Sequence, residues 1–338
     1  MKVAILSDVY KIDIKDKKKP KIKKNEVLIR VKSTGICGSD LHAYRGHHPF
    51  RKPLVILGHE VSGVVEEIGN LVNNIKIGDR VTVEPQLGCG ECEYCITGKY
   101  NLCTNRRAPG IGNWDGSFSE YFVAPKGTVY KLTDSISYNQ GALIEPLAVG
   151  VHAIRNTNIK LGDTVAILGV GTIGLMSLIA AKNAGASRIY VSDLSDYNLA
   201  KAKELGADVI INTKDDNIFE IVKKEDSNGA DKVIITAAFP IVWEEALKIS
   251  KKGGGICIVG MFDKPVTTDL LQLLMSEKSV YTSWLYRRED FETSIKIAQE
   301  VNLNSLITHK FSLEDTAKAL KIMDDRKENV IKIILNVG

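Results

Sequence analysis

The sequence predicts an α/β protein in two parts, a mostly-β part at the N-terminus followed by a doubly wound parallel sheet. Short β-branched runs bounded by turn residues occupy the N-terminal part, whereas strand and helix patterns alternate from about residue 162. A chain of 338 residues is also too long for one small core, so more than one domain is expected.

The N-terminal strands are predicted where apolar residues alternate with polar ones or form β-branched runs, at 27–31, 61–68 and 80–83. Between 88 and 105 this periodicity stops, and so long a loop in a compact domain needs a cross-link or a function. A lysine-rich run at 15–24 has no interleaved aromatic residues and no basic helix pattern. It therefore predicts a solvated connection between two early strands and not a nucleic-acid surface.

From about residue 162, sequence patterns typical of strands alternate with patterns typical of helices. Strands are expected at 165–168, 189–192, 209–212, 232–235 and 256–259, with helices at 173–185, 197–205 and 243–249. Such alternation implies parallel pairing, and right-handed crossovers place helices on both faces of the sheet. After residue 284, helices at 291–300 and 313–323 and a strand at 331–335 are expected to complete the first domain.

Composition narrows the class of protein. Hydrophobic residues make up 44% of the chain and charged residues 25%, with a formal net charge of +4, so disorder is not expected. Asp8 interrupts the short apolar stretch at the N-terminus, which argues against a secretory signal. The uncharged stretch 164–181 carries glycines in its middle and predicts strand, turn and helix, not a membrane span. We therefore expect a cytoplasmic protein.

Gly169, Gly171 and Gly174 have the spacing G-x-G-x-x-G, directly after a predicted strand and at the start of a helix. There the first glycine allows a tight turn, the second lets the backbone approach a pyrophosphate, and the third allows close helix–strand packing. The helix N-terminus at Thr172 and Ile173 offers free N–H groups and a positive dipole to phosphates. The pattern predicts a dinucleotide site; the alternative is a glycine turn without a ligand.

Asp193 ends the next predicted strand, where a dinucleotide fingerprint places an acid. A carboxylate there accepts hydrogen bonds from the ribose hydroxyls and repels a 2′-phosphate. NAD is therefore expected in preference to NADP, whereas without a ligand the residue would simply cap a helix.

Four of the six cysteines lie close together in the unpatterned loop. They are Cys89, Cys92, Cys95 and Cys103. Four thiolates suit tetrahedral Zn²⁺ with no open position, which predicts a structural zinc site and not a disulfide framework. An iron–sulfur cluster uses the same ligands and is an alternative. A nucleic-acid zinc module is another, although the neighbouring Glu84, Glu91 and Glu93 suit phosphate contact poorly.

A second set of candidate metal ligands is spread along the chain: Cys37, His59, the adjacent Glu60, and Glu145. A thiolate, a neutral imidazole and a carboxylate form a zinc site with a fourth position open. An alcohol oxygen held in that position has a lowered pKa and is prepared to lose hydride.

Polar residues follow Cys37 directly. Asp40 is a candidate to orient His59 from outside the ligand set. Ser39 and His42 are candidates to pass the alcohol's proton to solvent, because a hydroxyl both donates and accepts and histidine titrates near neutrality.

Together these motifs resemble the zinc-containing medium-chain dehydrogenase/reductase superfamily, over essentially the whole chain. The matching segments are GICGSD around Cys37, GHE at 58–60, the four-cysteine loop, GALIEP ending at Pro146, the glycine turn and VSDLS around Asp193. The resemblance implies a GroES-like, mostly-β catalytic domain at 1–148 and 285–338, and a Rossmann NAD-binding domain at 149–284. It also implies two zinc ions per subunit, one at Cys37 and His59 with Glu60 or Glu145 as third ligand.

The glutamate in GALIEP resembles the polyol and sugar-acid branch of the superfamily. The resemblance implies NAD-linked oxidation of a secondary alcohol of a polyol or sugar acid, such as a hexonate. An L-threonine 3-dehydrogenase or a butanediol-type dehydrogenase is the alternative, and a zinc-binding structural or nucleic-acid protein is the alternative outside enzymes. The resemblance also implies a homo-oligomer, either a dimer or a tetramer, paired through edge strands of the cofactor domain, and of the two a tetramer is expected.

Four residues are candidates for substrate contact: Tyr44, His47, Phe118 and Trp284. Tyr44 and Phe118 match positions that line the pocket in relatives, although both are equally compatible with the core. His47, in a loop with His48 and Arg51 before the GHE motif, offers a partner to a carboxylate or hydroxyl chain unless the loop is simply exposed.

Overall fold

The computed structural model describes all residues from Met1 to Gly338. It divides into two compact units: unit 1 comprises Met1–Glu145 with Arg287–Gly338, and unit 2 comprises Pro146–Tyr286. No helix is both long enough and apolar enough to cross a lipid bilayer.

The first segment of unit 1 is mostly β. Its strands are β1 (Lys2–Asp8), β2 (Lys11–Asp16), β3 (Glu26–Ile36), β4 (Val55–Ile56), β5 (Glu60–Ile68), β6 (Arg80–Val83), β7 (Tyr121–Pro125) and β8 (Val129–Lys131). Its helices are short: α1 (Gly38–Tyr44), α2 (Glu93–Ile96) and α3 (Tyr138–Ala142). The strands predicted at 27–31, 61–68 and 80–83 are confirmed, and β3 continues five residues beyond its prediction, to Ile36.

Unit 2 alternates between helix and strand. Its helices are α4 (Ile144–Asn156, which begins in unit 1), α5 (Thr172–Asn183), α6 (Asp196–Glu204), α7 (Ile218–Glu225), α8 (Pro240–Ile249) and α9 (Leu270–Ser276). Its strands are β9 (Thr164–Leu168), β10 (Arg188–Asp193), β11 (Val209–Asn212), β12 (Ala230–Ile235), β13 (Ser250–Ile258) and β14 (Ser279–Thr282). They form a parallel sheet in the order β11-β10-β9-β12-β13-β14. This is the strand order of a doubly wound dinucleotide-binding sheet, with its switch point between β9 and β12.

The C-terminal segment returns to unit 1. It contains α10 (Arg288–Glu300), β15 (Ile307–Ser312), α11 (Thr316–Asp325) and β16 (Lys332–Asn336). β16 pairs antiparallel with β3, so the last strand extends a sheet in the order β15-β16-β3-β5-β6-β8, with β7 also on β3. The helix predicted at 313–323 was wrong at its start, because Leu313–Asp315 forms a 3₁₀ turn before α11.

The core of unit 1 explains why these residues form strands. Val27, Ile29 and Val31 alternate along β3 and are fully buried, as the period-two pattern requires. The lysine-rich run begins in the last two residues of β2 and continues through the connection to β3. In that connection Lys17 pairs with Asp115 at 3.2 Å and Lys19 with Glu66 at 2.9 Å. Such exposed pairs contribute little stability, so the run is a solvated connection.

Candidate active site

Three candidate metal ligands meet where β3 ends and β5 begins. Cys37 is the N-cap of α1, directly after β3, and Glu60 is the first residue of β5, preceded by His59. The Cys37 sulfur, a His59 ring nitrogen and a Glu60 carboxylate oxygen all lie within 4.8 Å of one another. Sulfur, nitrogen and oxygen at this spacing form a donor set that fits one zinc ion.

Gly35 makes this convergence possible. It pairs with Glu60 across the antiparallel β3–β5 ladder. A Cβ atom at position 35 would lie 1.8 Å from Oε2 of Glu60, so any side chain there would displace the carboxylate. The first glycine of the GICGSD motif therefore has a steric role, which the sequence of the motif did not reveal.

Lys332 is a buried partner of Glu60 that the sequence analysis missed. Its Nζ donates to Oε1 of Glu60 at 2.5 Å and to the carbonyl of Ile36 at 3.0 Å. The side chains of Lys332 and Glu60 are only 2% and 1% exposed. The available signal was a lysine inside the apolar run of the last strand, where an unpaired charge would be costly.

Glu145, the other candidate third ligand, lies in the first turn of α4 and is 6% exposed. Its carboxylate does not belong to the group of atoms that lie within 4.8 Å of one another, whereas that of Glu60 does. The geometry of unit 1 therefore favours Glu60 as the ligand and leaves Glu145 as a buried acid of the same unit.

Asp40 holds the backbone on both sides of the site. Its carboxylate accepts hydrogen bonds from the N–H of Cys37 at 3.0 Å and of Gly58 at 3.2 Å. Its Oδ1 lies 3.7 Å from Nδ1 of His59, which is too long for a hydrogen bond. Burial alone would raise the pKa of Asp40, but His59 and Arg51 hold that pKa well below its usual range. Asp40 therefore acts on His59 through charge and through the backbone before it.

Ser39 is fixed by Arg51, a second buried cation. Nη1 of Arg51 donates to Oγ of Ser39 at 2.9 Å, and its Nε donates to the carbonyl of Pro109 at 3.2 Å. A guanidinium only donates, so the Ser39 oxygen accepts and its own proton is available to another group. Arg51 was expected either near the metal, as a partner of the substrate, or on an exposed loop. It is 6% exposed and its Nη1 lies 3.8 Å from Oδ1 of Asp40, so it is not on an exposed loop. His42 is partly exposed on α1.

The four residues considered for substrate contact have different surroundings. Tyr44 is 7% exposed and packs edge-on against Tyr10, with 5.2 Å between ring centroids. Phe118 has no exposed surface and lies against Gly58, which is the core role that its sequence left open. His47 is exposed, and Trp284 is a residue of unit 2 that is 50% exposed.

The four-cysteine loop brings its sulfur atoms together in unit 1. Those of Cys89, Cys92, Cys95 and Cys103 all lie within 4.8 Å of one another, and none is in a disulfide. Two of these sulfur atoms accept hydrogen bonds from the backbone. The N–H of Cys92 donates to the sulfur of Cys89, and the N–H of Cys89 donates to the sulfur of Cys103, each at 3.4 Å. The N–H groups of Glu91 and Cys92 lower the pKa of Cys89 to about 6. Burial raises the pKa of Cys95 to about 12, so the backbone alone does not ionise all four thiols. Four sulfur atoms at this spacing, with no open position, fit a structural zinc ion.

The glycine turn of unit 2 lies between β9 and α5. Gly169 has φ +91°, and a Cβ on Gly174 would lie 2.0 Å from the carbonyl of Gly169, so both positions require glycine. Gly171 is the N-cap of α5, and a Cβ there would meet nothing within 4 Å. The N-terminus of α5 at Thr172 and Ile173 therefore opens onto free space, as an anion site requires.

Asp193 at the end of β10 faces the same turn. Its Oδ2 accepts from the N–H of Val170 at 2.8 Å, and its Oδ1 accepts from the N–H of Ser195 at 2.9 Å. The carboxylate is thus held beside the glycine turn with further lone pairs available, which fits a ribose of a dinucleotide.

Comparison with known proteins agrees with this geometry. Residues 23–134 match the alcohol dehydrogenase GroES-like domain, and residues 172–300 match the zinc-binding dehydrogenase domain. Sorbitol dehydrogenase of Bacillus subtilis is 36% identical over 99% of this chain and 97% of its own. L-idonate 5-dehydrogenase of Vitis vinifera is 36% identical over 94% of this chain and 90% of its own.

A solved structure is also similar to this chain over its full length. An Escherichia coli oxidoreductase/dehydrogenase of unknown specificity superposes with a TM-score of 0.95 at 33% identity, covering 100% of this chain and 99% of that one. The chain belongs to the zinc-dependent medium-chain dehydrogenase superfamily, in its polyol branch. The predicted family and fold class, GroES-like plus Rossmann, are confirmed, and the chain is an oxidoreductase at the level of that family.

Proposed function

We propose that this chain is an NAD-dependent zinc dehydrogenase that oxidises a secondary alcohol of a polyol or sugar acid. The observation that carries the proposal is the convergence of Cys37, His59 and Glu60 within 4.8 Å. Residues 1–148 and 285–338 would form the catalytic domain, and residues 149–284 the cofactor domain.

The roles of the site residues follow from their positions. Cys37, His59 and Glu60 would hold the catalytic zinc, and the buried Glu145 would orient the substrate hydroxyl. When bound, zinc polarises that hydroxyl and NAD accepts the hydride. Ser39 would accept the hydroxyl proton while it donates its own proton to His42, and His42 would release a proton to solvent. Since Arg51 occupies one lone pair of Ser39, the second lone pair is left to receive this proton.

The remaining assignments are also proposals. The four-cysteine loop would hold a second, structural zinc ion. The cofactor would lie on the glycine turn at Gly169, Gly171 and Gly174, with its phosphates at the N-terminus of α5. The carboxylate of Asp193 would select NAD by repelling a 2′-phosphate.

The substrate class rests on similarity to the sorbitol and idonate enzymes. Tyr44, His47 and Trp284 would contact the chain of hydroxyl groups. Arg51 already donates to Ser39 and to the carbonyl of Pro109 and is 6% exposed, so it is not proposed as the partner of a substrate carboxylate. The competing assignment is a threonine or butanediol dehydrogenase.

Unit 2 has a surface suited to the expected tetramer. β14 is an edge strand, and an edge leaves backbone groups free to pair with another strand. Apolar side chains of β14 and the preceding α9 are 43% to 74% exposed: Leu270, Leu271, Leu274, Met275 and Val280. We propose that copies of the chain associate through this surface.

A substrate panel tests the proposed activity. NADH formation is followed with sorbitol, xylitol, L-idonate, D-gluconate, 2,3-butanediol and L-threonine, for the wild type and for Cys37→Ser. We expect turnover of a polyol or hexonate that Cys37→Ser lacks. Turnover of L-threonine or 2,3-butanediol alone would replace the substrate assignment, and no NADH with any of them would reject it.

A further inference from the structure

Lys332 is a cation enclosed in unit 1 that the proposed reaction does not use. Its amino group lies 2.5 Å from the Glu60 carboxylate, and its side chain is 2% exposed. Cys37 and Glu145 are the other anionic groups that act on it. A buried charge is costly unless other charges compensate for it, so the arrangement needs an explanation in terms of the whole site.

The charged groups in and around the site can be counted. Four are anionic when the thiol is ionised: Cys37, Asp40, Glu60 and Glu145. Two are cationic, Arg51 and Lys332, and each lies beside one of the acids, Asp40 and Glu60 respectively. His59 counts as neutral, because an imidazole binds a metal ion in its neutral form. The excess is two negative charges, which is the charge that one divalent cation neutralises.

We propose that Lys332 is a positioning residue that fixes Glu60 and sets the charge of the site to match one divalent cation. This inference rests on the proposed function, because it takes Cys37, His59 and Glu60 as the ligands. Without Lys332 the site would carry a third excess negative charge, and the carboxylate of Glu60 would lose the donor that holds it.

Three substitutions separate charge from hydrogen bonding. Lys332→Met removes both the charge and the donor, Lys332→Gln keeps a donor without the charge, and Lys332→Arg keeps both. If the charge is what matters, Lys332→Met and Lys332→Gln behave alike and Lys332→Arg resembles the wild type.

The measurement is the dissociation constant of the readily exchanged zinc ion, obtained on the full-length protein by competition with a chromophoric chelator. Removing a positive charge next to a divalent cation strengthens its binding, so Lys332→Met and Lys332→Gln are expected to bind Zn²⁺ at least about tenfold more tightly. Lys332→Arg is expected to stay within about threefold of the wild type. Lys332→Gln decides the test if Lys332→Met fails to fold.

Two controls exclude indirect effects. Lys310→Met removes an exposed lysine from β15, the neighbour of β16, and is expected to leave zinc binding unchanged. Ile334→Val weakens the core of the same strand, and is expected to lower the melting temperature equally with and without zinc. The charge variants should instead change the difference between those two temperatures.

The outcomes are distinguishable. If the wild type exchanges zinc but Lys332→Met and Lys332→Gln bind it with unchanged or lower affinity, this inference is overturned and the proposed function stands. If the wild type has no exchangeable zinc and no dehydrogenase activity, both are overturned.

Discussion

The carboxylate of Asp193 accepts a hydrogen bond of 2.8 Å from the backbone N–H of Val170. This contact joins the end of β10 to the glycine turn that follows β9, so the acid and the turn are held together before any ligand binds. The two features that the sequence places far apart therefore form one surface.

Replacing Asp193 with serine should change the cofactor preference. Loss of the carboxylate removes charge-assisted bonds to the ribose and the repulsion of a 2′-phosphate. We expect kcat/KM with NAD to fall about tenfold or more, and activity with NADP to rise, since bonds to charged groups contribute about 1.5–3 kcal/mol. The value of kcat/KM is measured once with NAD and once with NADP, with the same alcohol as substrate.

Asp196→Asn is the matched control for that change. Asp196 begins α6 and accepts from the Asn212 side chain at 2.6 Å, only three residues beyond Asp193. The ratio of kcat/KM with NAD to kcat/KM with NADP should be the same in this variant as in the wild type. An equal shift in both variants would mean that general negative charge, and not the position of Asp193, sets the preference.

Gly35→Ala should disturb the metal site through sterics alone. The added methyl would lie 1.8 Å from the Glu60 carboxylate. We expect a loss of about 3 kcal/mol in unfolding free energy from overpacking, together with weakened zinc retention. Denaturant unfolding and metal analysis measure the two effects.

Gly38→Ala provides the comparison, because a Cβ at position 38 meets nothing within 4 Å. It should change the unfolding free energy by no more than about 1 kcal/mol, as an exposed glycine-to-alanine change does. If both variants lost stability equally, the contact between Gly35 and Glu60 would not be the cause.

Cys95→Ser should open the four-cysteine site. One thiolate fewer leaves an incomplete tetrahedral set, so we expect one zinc fewer per chain and a lower melting temperature. Cys257→Ala removes a cysteine that is fully buried in β13, away from the loop, and should keep the zinc content of the wild type. Equal zinc content in all three proteins would show that the loop holds no zinc.

The stability of the chain should fall in acid partly through His48. Its Nδ1 accepts from the N–H groups of Phe50 and Arg51 at 3.2 and 3.0 Å, and burial together with the nearby Arg51 lowers its pKa to about 4. Between pH 6.5 and pH 4 the unfolded state binds a proton that the folded state does not, so unfolding becomes easier as the pH falls.

His48→Asn tests this dependence, since its amide oxygen can replace the acceptor but does not titrate. Because the side chain is only half-buried, we expect the wild type to lose about 1–2 kcal/mol more than the variant between pH 7 and pH 4.5. Denaturant titrations at both pH values measure it. Parallel pH profiles for the two proteins would contradict the assignment.

Much of the fold followed from local patterns, and what was missed has physical causes. The alternation in unit 2 predicted five of its strands, because buried parallel strands are short apolar runs between helices. β14 was missed because its residues are largely exposed at an edge and lack a buried pattern. α2 lies inside the four-cysteine loop and is too short to show a helical period.

The sequence predicted the candidate metal ligands but not the buried side chains that hydrogen-bond to the residues of the site. Cys37, His59 and Glu60 belong to recognisable motifs, whereas Lys332 is distant along the chain and reaches Glu60 only because β16 pairs with β3. Arg51 was left between a substrate contact and an exposed loop, because nothing in the local sequence shows that its side chain reaches Ser39. Pairing across a sheet and burial of a single side chain are tertiary effects that one sequence does not display.

We have proposed that this chain transfers hydride from a polyol or sugar acid to NAD at a zinc site formed by Cys37, His59 and Glu60. The most direct test is the initial rate of NADH formation with sorbitol or L-idonate, before chelation, after removal of the exchangeable zinc, and after Zn²⁺ is returned. We expect activity that disappears when that zinc is removed and returns when Zn²⁺ is restored. A rate that persists after the exchangeable zinc has gone would contradict it.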